Sequence, residues 1–162
     1  MRRLLTLLSL TVLVAACAGT DADGVPISER AQGFGEDVAA VSCDAGGHDA
    51  AYHIHSQLVI YLPDGTSTDV PAEIGISDRC MYWVHTHPAD GVIHVEAPSE
   101  TTATLADFLE IWRRTTNPTI PDAVFGGTAQ IKVMGETVAN ASDVVLSDGL
   151  GIEIFVSAFP TR

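Results

Sequence analysis

Met81-Tyr82-Trp83-Val84-His85-Thr86-His87-Pro88-Ala89-Asp90-Gly91-Val92-Ile93-His94-Val95-Glu96 reads as strand, turn and returning strand. Met81 to His87 is the first strand. Pro88-Ala89-Asp90-Gly91 is a turn, with Pro where φ must lie near −65° and Gly at its end. Val92 to Glu96 returns. A loop of residues 88–91 sets His87 opposite Val92, Thr86 opposite Ile93 and His85 opposite His94. Directly opposed residues share a face, with Cβ atoms ~4.5–5.5 Å apart. His85, His87 and His94 then converge, and Glu96 stands across from Trp83 at the edge of the group. A one-residue change of loop length destroys this arrangement.

Working outward, Tyr52 to Leu62 alternates. Ile54, Leu58, Ile60 and Leu62 share one parity, as in a half-buried strand. His53 and His55 have the other parity and face away from that apolar side. They are placed to join the cluster from a neighbouring strand. Pro63-Asp64-Gly65 is a turn, Thr66 to Val70 pairs back, and Pro71 to Ile76 is a short crossing segment. Thr104 is an N-cap with Asp107 three residues on. Leu105, Phe108, Leu109, Ile111 and Trp112 follow at helical spacing, so one helix is expected at about 105–114, ended by Asn117-Pro118 and Pro121. Thr128 to Met134 alternates again, Gly135-Glu136 turns, and Ile152 to Val156 is a last strand. Segments 52–76 and 128–156 share a plan of strand, turn, strand and crossing, which suggests a diverged internal duplication. The expected fold is α+β: a small β-rich domain, sheet or partly open barrel, with a single helix.

All six histidines fall between positions 48 and 94, in the order His53-Ile54-His55, His85-Thr86-His87 and His94-Val95-Glu96. The candidate metal ligands are His53, His55, His85, His87 and His94, with Glu96 as a further ligand or a base. Converging imidazoles suit Zn or Cu, with zinc–nitrogen distances of ~2.0–2.1 Å. A single His is usually a satisfied surface or core residue, and the whole cluster can also be read as a metal-free polar network or a pH sensor. Crowding disfavours protonation of the rings, so metal affinity should fall in acid.

The chain has 162 residues, 46% of them hydrophobic, with 8 basic and 21 acidic side chains and a net charge of −13. That length and composition suit one globular domain. The charge argues against nucleic acid and against anionic lipid head groups as partners. Arg2 and Arg3 followed by the apolar run Leu4 to Val14 read as an export signal, too short to span a membrane. The run ends in Val14-Ala15-Ala16-Cys17, which looks like a bacterial lipobox, so residues 1–16 are read as a signal peptide and Cys17 as the lipidated residue. Cleavage there would remove Arg2 and Arg3 and leave 6 basic against 21 acidic residues, a charge of −15. Two or more acyl chains anchor stably, at ~0.8 kcal/mol per buried methylene. Residues 17–42, rich in Gly, Asp, Ala and Ser, read as a flexible tether, and 43–162 as the domain. Cys43 and Cys80 remain. Outside the cytoplasm a disulfide between them is expected, worth about 3–4 kcal/mol for a loop of ~37 residues. The competing reading makes one or both thiolates metal ligands.

The segments His53, His55 and Leu58; Val70-Pro71-Ala72 with Ile74-Gly75-Ile76; Cys80 to His87; Gly91 to Pro98; and Thr104-Leu105 with Phe108, Ile111 and Trp112 together resemble a family of uncharacterised bacterial proteins. Its pattern is His-x-His, then Cys-x-Tyr-Trp-Leu-His-Thr-His-Asp, Gly-x-Ile-His-x-Glu-Ser-Pro and Thr-Leu-x-x-Phe-x-x-Ile-Trp. The resemblance covers most of 43–156 and implies one domain; it implies no settled activity. Pro88 stands where the pattern has Asp. His85-Thr86-His87-Pro88 also resembles the His-x-His-Pro of JAMM-type zinc isopeptidases, but their Asp ligand is missing at the required spacing. His53-x-His55 resembles a cupin motif without its Glu.

The sequence therefore points to an exported, lipid-anchored envelope protein. It would bind Zn or Cu through its histidines for buffering, delivery or sensing, and would touch the membrane only through its anchor. The alternatives are a hydrolase-like metal enzyme with zinc-activated water, and a structural or interaction module without metal. No Gly-x-Ser-x-Gly element and no phosphate-cradling glycine loop is present.

Overall fold

The alternation that begins at Tyr52 builds the longest strand, and the other elements assemble on it. In chain order they are β1 (Cys43–Asp44), β2 (Tyr52–Tyr61), β3 (Ser67–Thr68), β4 (Met81–Tyr82), β5 (Val84–His85), β6 (Val92–Ala97), α1 (Leu105–Thr115), α2 (Thr119–Phe125), β7 (Ala129–Val133), β8 (Glu136–Val138) and β9 (Leu150–Val156). The computed structural model describes residues 33–45 and 50–159. The export signal, Cys17, His48 and most of the tether lie outside the described residues.

The main sheet runs β5-β6-β2-β9-β7-β8, with β3 pairing the far end of β2. It ends at β5 on one side and β8 on the other, so the sheet is open and no barrel closes. β2 pairs antiparallel with β6 over 52–57 and parallel with β9 over 56–61. Because one edge of β2 is taken by β9, β3 and β6 occupy the other edge in succession. β9 thus sits between the first hairpin and the β7–β8 hairpin.

Period-2 alternation gives the sheet two unlike faces. Leu58 and Ile60 of β2, Ile93 and Val95 of β6, Ile131 of β7 and Ile152 and Ile154 of β9 are all buried. They join Leu105, Phe108, Leu109, Ile111 and Trp112 of α1 in one core. Each such side chain, fully buried, stabilises by roughly 1.5–3 kcal/mol. The opposite face carries His53, His55, His94 and Glu96 at one end. At the other end Tyr61 stacks on Phe155 with ring centres 4.6 Å apart, and the Lys132 ammonium lies 5.0 Å over Phe155.

α1 starts where its capping box dictates. The Thr104 hydroxyl accepts from the Asp107 N–H, and the Asp107 carboxylate accepts from the Thr104 N–H at 2.8 Å. A second helix, α2, follows where Pro118 and Pro121 suggest only the end of the first. Pro121 lies in the first turn of α2. There the ring costs no hydrogen bond, since first-turn N–H groups have no partner within the helix.

Two further expectations are corrected. Met81 to His87 is not one strand: it breaks at Trp83 and changes partner. β4 pairs β1, whereas β5 pairs β6. At the break the Trp83 N–H donates to Ser42 O, the Glu96 N–H donates to Trp83 O, and the Trp83 indole N–H donates to Asp44 Oδ2 at 2.7 Å. From Gly33 onward the stretch read as tether is part of the folded body. Val38 and Val41 are buried, and the Arg114 guanidinium donates to Gly33 O and Glu36 O. The expected Cys43–Cys80 disulfide is present, with Cα atoms 5.4 Å apart, and ties β1 to the entrance of β4.

The turn between β5 and β6 is set by Gly91. Its φ is +78°, and a Cβ there would stand 2.3 Å from Leu58 O, the backbone of the neighbouring strand. Gly65 has a similar φ of +84° with open space around it. Gly91→Ala is therefore expected to lower the unfolding free energy by about 2–3 kcal/mol, and Gly65→Ala by about 1 kcal/mol. Urea titrations of both variants check this; equal costs would contradict the close approach.

Candidate metal centre

Three adjacent strands bring the histidines to one face. His53 stands opposite Glu96, His55 opposite His94, and His85 opposite His94. The loop of residues 88–91 gives the register read from the sequence, and the β2–β6 pairing adds His53 and His55 from the other side. His87, just beyond β5, completes the group. The rings of His53, His55, His85 and His87 all lie with centres 4.6–5.8 Å from that of His94. His94 is the hub.

Glu96 sits beside the same rings. Its Oε1 is 3.0 Å from His53 Nε2, 3.4 Å from His94 Nδ1 and 3.9 Å from His87 Nε2, and its Oε2 is 3.8 Å from His85 Nε2. The six side chains form two donor groups, His53 with His55 and His94, and His85 with His87 and Glu96. Within each group the ligand atoms lie within 4.8 Å of one another. Both groups can hold a metal ion. The donors gather on one face in two groups.

The orientation of His85 is fixed from behind. Its Nδ1 lies 2.8 Å from the Tyr82 carbonyl oxygen. A carbonyl only accepts, so Nδ1 carries the proton and Nε2 presents a lone pair to the site. Tyr82 is itself locked. Its hydroxyl accepts from the Gly35 N–H at 2.9 Å and donates to Glu36 O at 2.7 Å. Thr86, between the two histidines, points the other way. Its hydroxyl donates to Pro71 O and accepts from the Ile74 N–H, and its own N–H donates to Ile74 O. Gly75 lets this crossing segment lie close, since a Cβ there would be 2.9 Å from Val84 O and 3.3 Å from His85 Cβ.

The electrostatics favour neutral rings. Burial pulls the His85 imidazole down to about 4, the Tyr82 carbonyl and Glu96 opposing this only in part. Burial also lowers His94, with the neighbouring His87 and His55 adding to it. Burial pushes the Glu96 carboxyl up, but the charges of His85, His53, His94 and His87 outweigh it and hold the group below its usual range. His85 and His94 are thus held toward the neutral form beside an ionised Glu96, the protonation state that metal binding requires.

Two observations test the fit to a metal. His85 Nε2 and His87 Nε2 are 3.2 Å apart, close to the ~3.3 Å edge of a tetrahedron with zinc–nitrogen bonds of ~2.0–2.1 Å. His94 Nδ1 is buried and has no hydrogen-bond partner. Buried polar atoms without partners are rare and need a reason, and a cation supplies one. The disulfide removes Cys43 and Cys80 from the ligand pool, which leaves imidazole and carboxylate donors.

The sequence singled out all six of these side chains and paired Cys43 with Cys80; Cys17 lies outside the described residues. It missed the Tyr82 carbonyl, because a backbone acceptor has no residue signature. It also missed the hub position of His94, which needed the β2–β6 register. No protein-family model matches the chain, and no curated protein or solved structure is significantly similar to it.

His85 gives the metal-free protein a pH dependence of known sign. Its folded value, about 4, lies below the ordinary 6.5. Between these values the unfolded chain takes up a proton that the folded chain does not, so the contribution of His85 to stability falls as pH drops from 6.5 to about 4. The expected loss is on the order of 2–3 kcal/mol. Denaturant titrations in chelator should show it, and His85→Asn, which keeps a donor for the Tyr82 carbonyl, should flatten the slope. An unchanged slope in the variant would contradict the assignment.

Proposed function

We propose that this chain is an exported lipoprotein, anchored through Cys17, that binds a transition-metal cation, Zn or Cu, in the histidine cluster for buffering, delivery or sensing. The observation that carries the reading is the convergence of five imidazoles and Glu96 on one sheet face, with a buried His94 Nδ1 that makes no hydrogen bond and has Glu96 Oε1 3.4 Å away. The missing hydrogen bond at that atom weighs against a self-contained polar network, which would bond its buried members. No helix among the described residues is long and apolar enough to cross a membrane.

Exposure supports exchangeable rather than structural metal. The His85 side chain is fully buried, but those of His53 and His87 are 45% and 46% exposed. One side of the cluster is pinned and the other opens to solvent, the arrangement of a site that can load and unload; structural zinc sites are closed. The same opening would admit a metal-bound water, so a zinc hydrolase is the second reading. Against it, both carboxylate oxygens of Glu96 already face imidazoles, which leaves Glu96 better placed as a ligand than as a base.

Isothermal titration of Zn(II) into chelator-stripped full-length protein in detergent should show tight binding near pH 7.5 that weakens as the imidazoles protonate below about 6.5. The His85→Ala/His94→Ala double variant should lose far more than the about 10–100-fold typical of a lost second-shell partner. A wild-type protein that takes up neither Zn nor Cu would end this reading.

A further inference from the structure

We infer that the cluster is a two-ion site in which Glu96 bridges a pair of divalent transition-metal cations; this rests on the metal-binding reading above. One ion would sit among His53, His55 and His94, and the other among His85, His87 and Glu96. The inference comes from the placement of the donors, not from their number alone.

The strand register separates the two groups. Neighbouring strands lie ~4.8 Å apart. β2 contributes His53 and His55, β5 and the residues after it contribute His85 and His87, and β6 runs between them with His94 and Glu96. An ion with bonds of ~2.0–2.1 Å reaches only donors within ~4.2 Å of each other. The donors that lie within 4.8 Å of one another form two triads, each drawn from one outer strand and the middle one. Small rotamer adjustments close each triad separately.

The middle strand supplies what a pair needs. Like-charged ions close together require an anion between them. Glu96 is the carboxylate of the cluster, and it touches both groups. Oε1 faces His53 Nε2 at 3.0 Å and His94 Nδ1 at 3.4 Å in the first group and His87 Nε2 at 3.9 Å in the second, and Oε2 faces His85 Nε2 at 3.8 Å in the second. Carboxylate oxygens carry lone pairs enough to serve both sides. Two-metal sites hold their ions roughly 3.5–4 Å apart, a span that one carboxylate bridges. With Glu96 shared, the ion among His53, His55 and His94 has four protein donors, and the ion among His85, His87 and Glu96 has three. The exposed rims at His53 and His87 leave room for solvent or a small anion on both.

Equilibrium dialysis of the full-length protein against Zn(II), followed by elemental analysis, reads the stoichiometry directly. Two Zn per chain are expected in the wild type, and one per chain in each of His55→Ala and His87→Ala. Neither side chain is fully buried, so both variants should fold, which circular dichroism checks. Glu96→Gln should bind the second ion at least tenfold more weakly than the wild type. One Zn per chain in the wild type would overturn the two-ion inference and leave the metal-binding reading intact; none would overturn both. Two ions retained in both histidine variants, or all lost in either one, would also overturn it, since the triads would then be irrelevant or inseparable.

Discussion

The alignment of His55, His94 and His85 across three antiparallel strands is the constraint on which the site depends. Side chains directly opposed across a ladder share a face, and a slip of one residue sends them to the other. The protein holds this alignment from several directions. Gly91 permits a turn that approaches the Leu58 carbonyl more closely than a Cβ allows. Gln57 of β2 donates from its side chain to Asp90 O at 2.8 Å and so fastens the turn to the neighbouring strand. Thr86, flanked by the two ligating candidates, is tied to Pro71 and Ile74 on the opposite side. The apolar face beneath, Leu58, Ile93, Val95 and Val84, is fully packed, so any slip that moved the histidines would also expose the core.

Rigidity is unevenly distributed around the cluster. His85 is held by a chain of contacts that runs from Arg114 on α1 to the backbone of Gly33 and Glu36, from there to the Tyr82 hydroxyl, and through the Tyr82 carbonyl to the ring. The disulfide closes the same region, joining β1 to the approach to β4. His53 and His87 have no comparable buttress and are half exposed. Held donors on one side and exposed ones on the other give the cluster one fixed flank and one open to solvent.

Much of this was legible in the sequence because it is local. The four-residue turn with Pro88 and Gly91 fixed the β5–β6 register. The parity of His53 and His55 against Leu58 and Ile60 fixed their face, and the Thr104–Asp107 capping box fixed the start of α1. What was not legible is non-local or lacks a side-chain signature. Nothing in Leu150–Val156 announces that β9 runs parallel beside β2 and separates the two hairpins. The break at Trp83 arises from a change of partner strand, which alternation within Met81–His87 cannot reveal. The packing of Val38 and Val41 was hidden by the polar, glycine-rich stretch around them. Pro121 was misread because a proline in a first helical turn and one that ends a helix look alike in sequence. The division of the donors into two triads depends on strand spacing and rotamers, and only the assembled sheet shows it.

Five imidazoles and Glu96 share one sheet face, with His85 and His94 held toward the neutral form. Long-range 1H–15N correlation spectra of protein with labelled histidines test this most directly, before and after addition of Zn(II). The structure predicts that the metal-free His85 ring is already neutral with its proton on Nδ1, and that zinc shifts nitrogen resonances of His53, His55, His85, His87 and His94 together while leaving the His85 Nδ1 proton in place. Spectra in which these five rings titrate independently near their ordinary values and ignore zinc would contradict it.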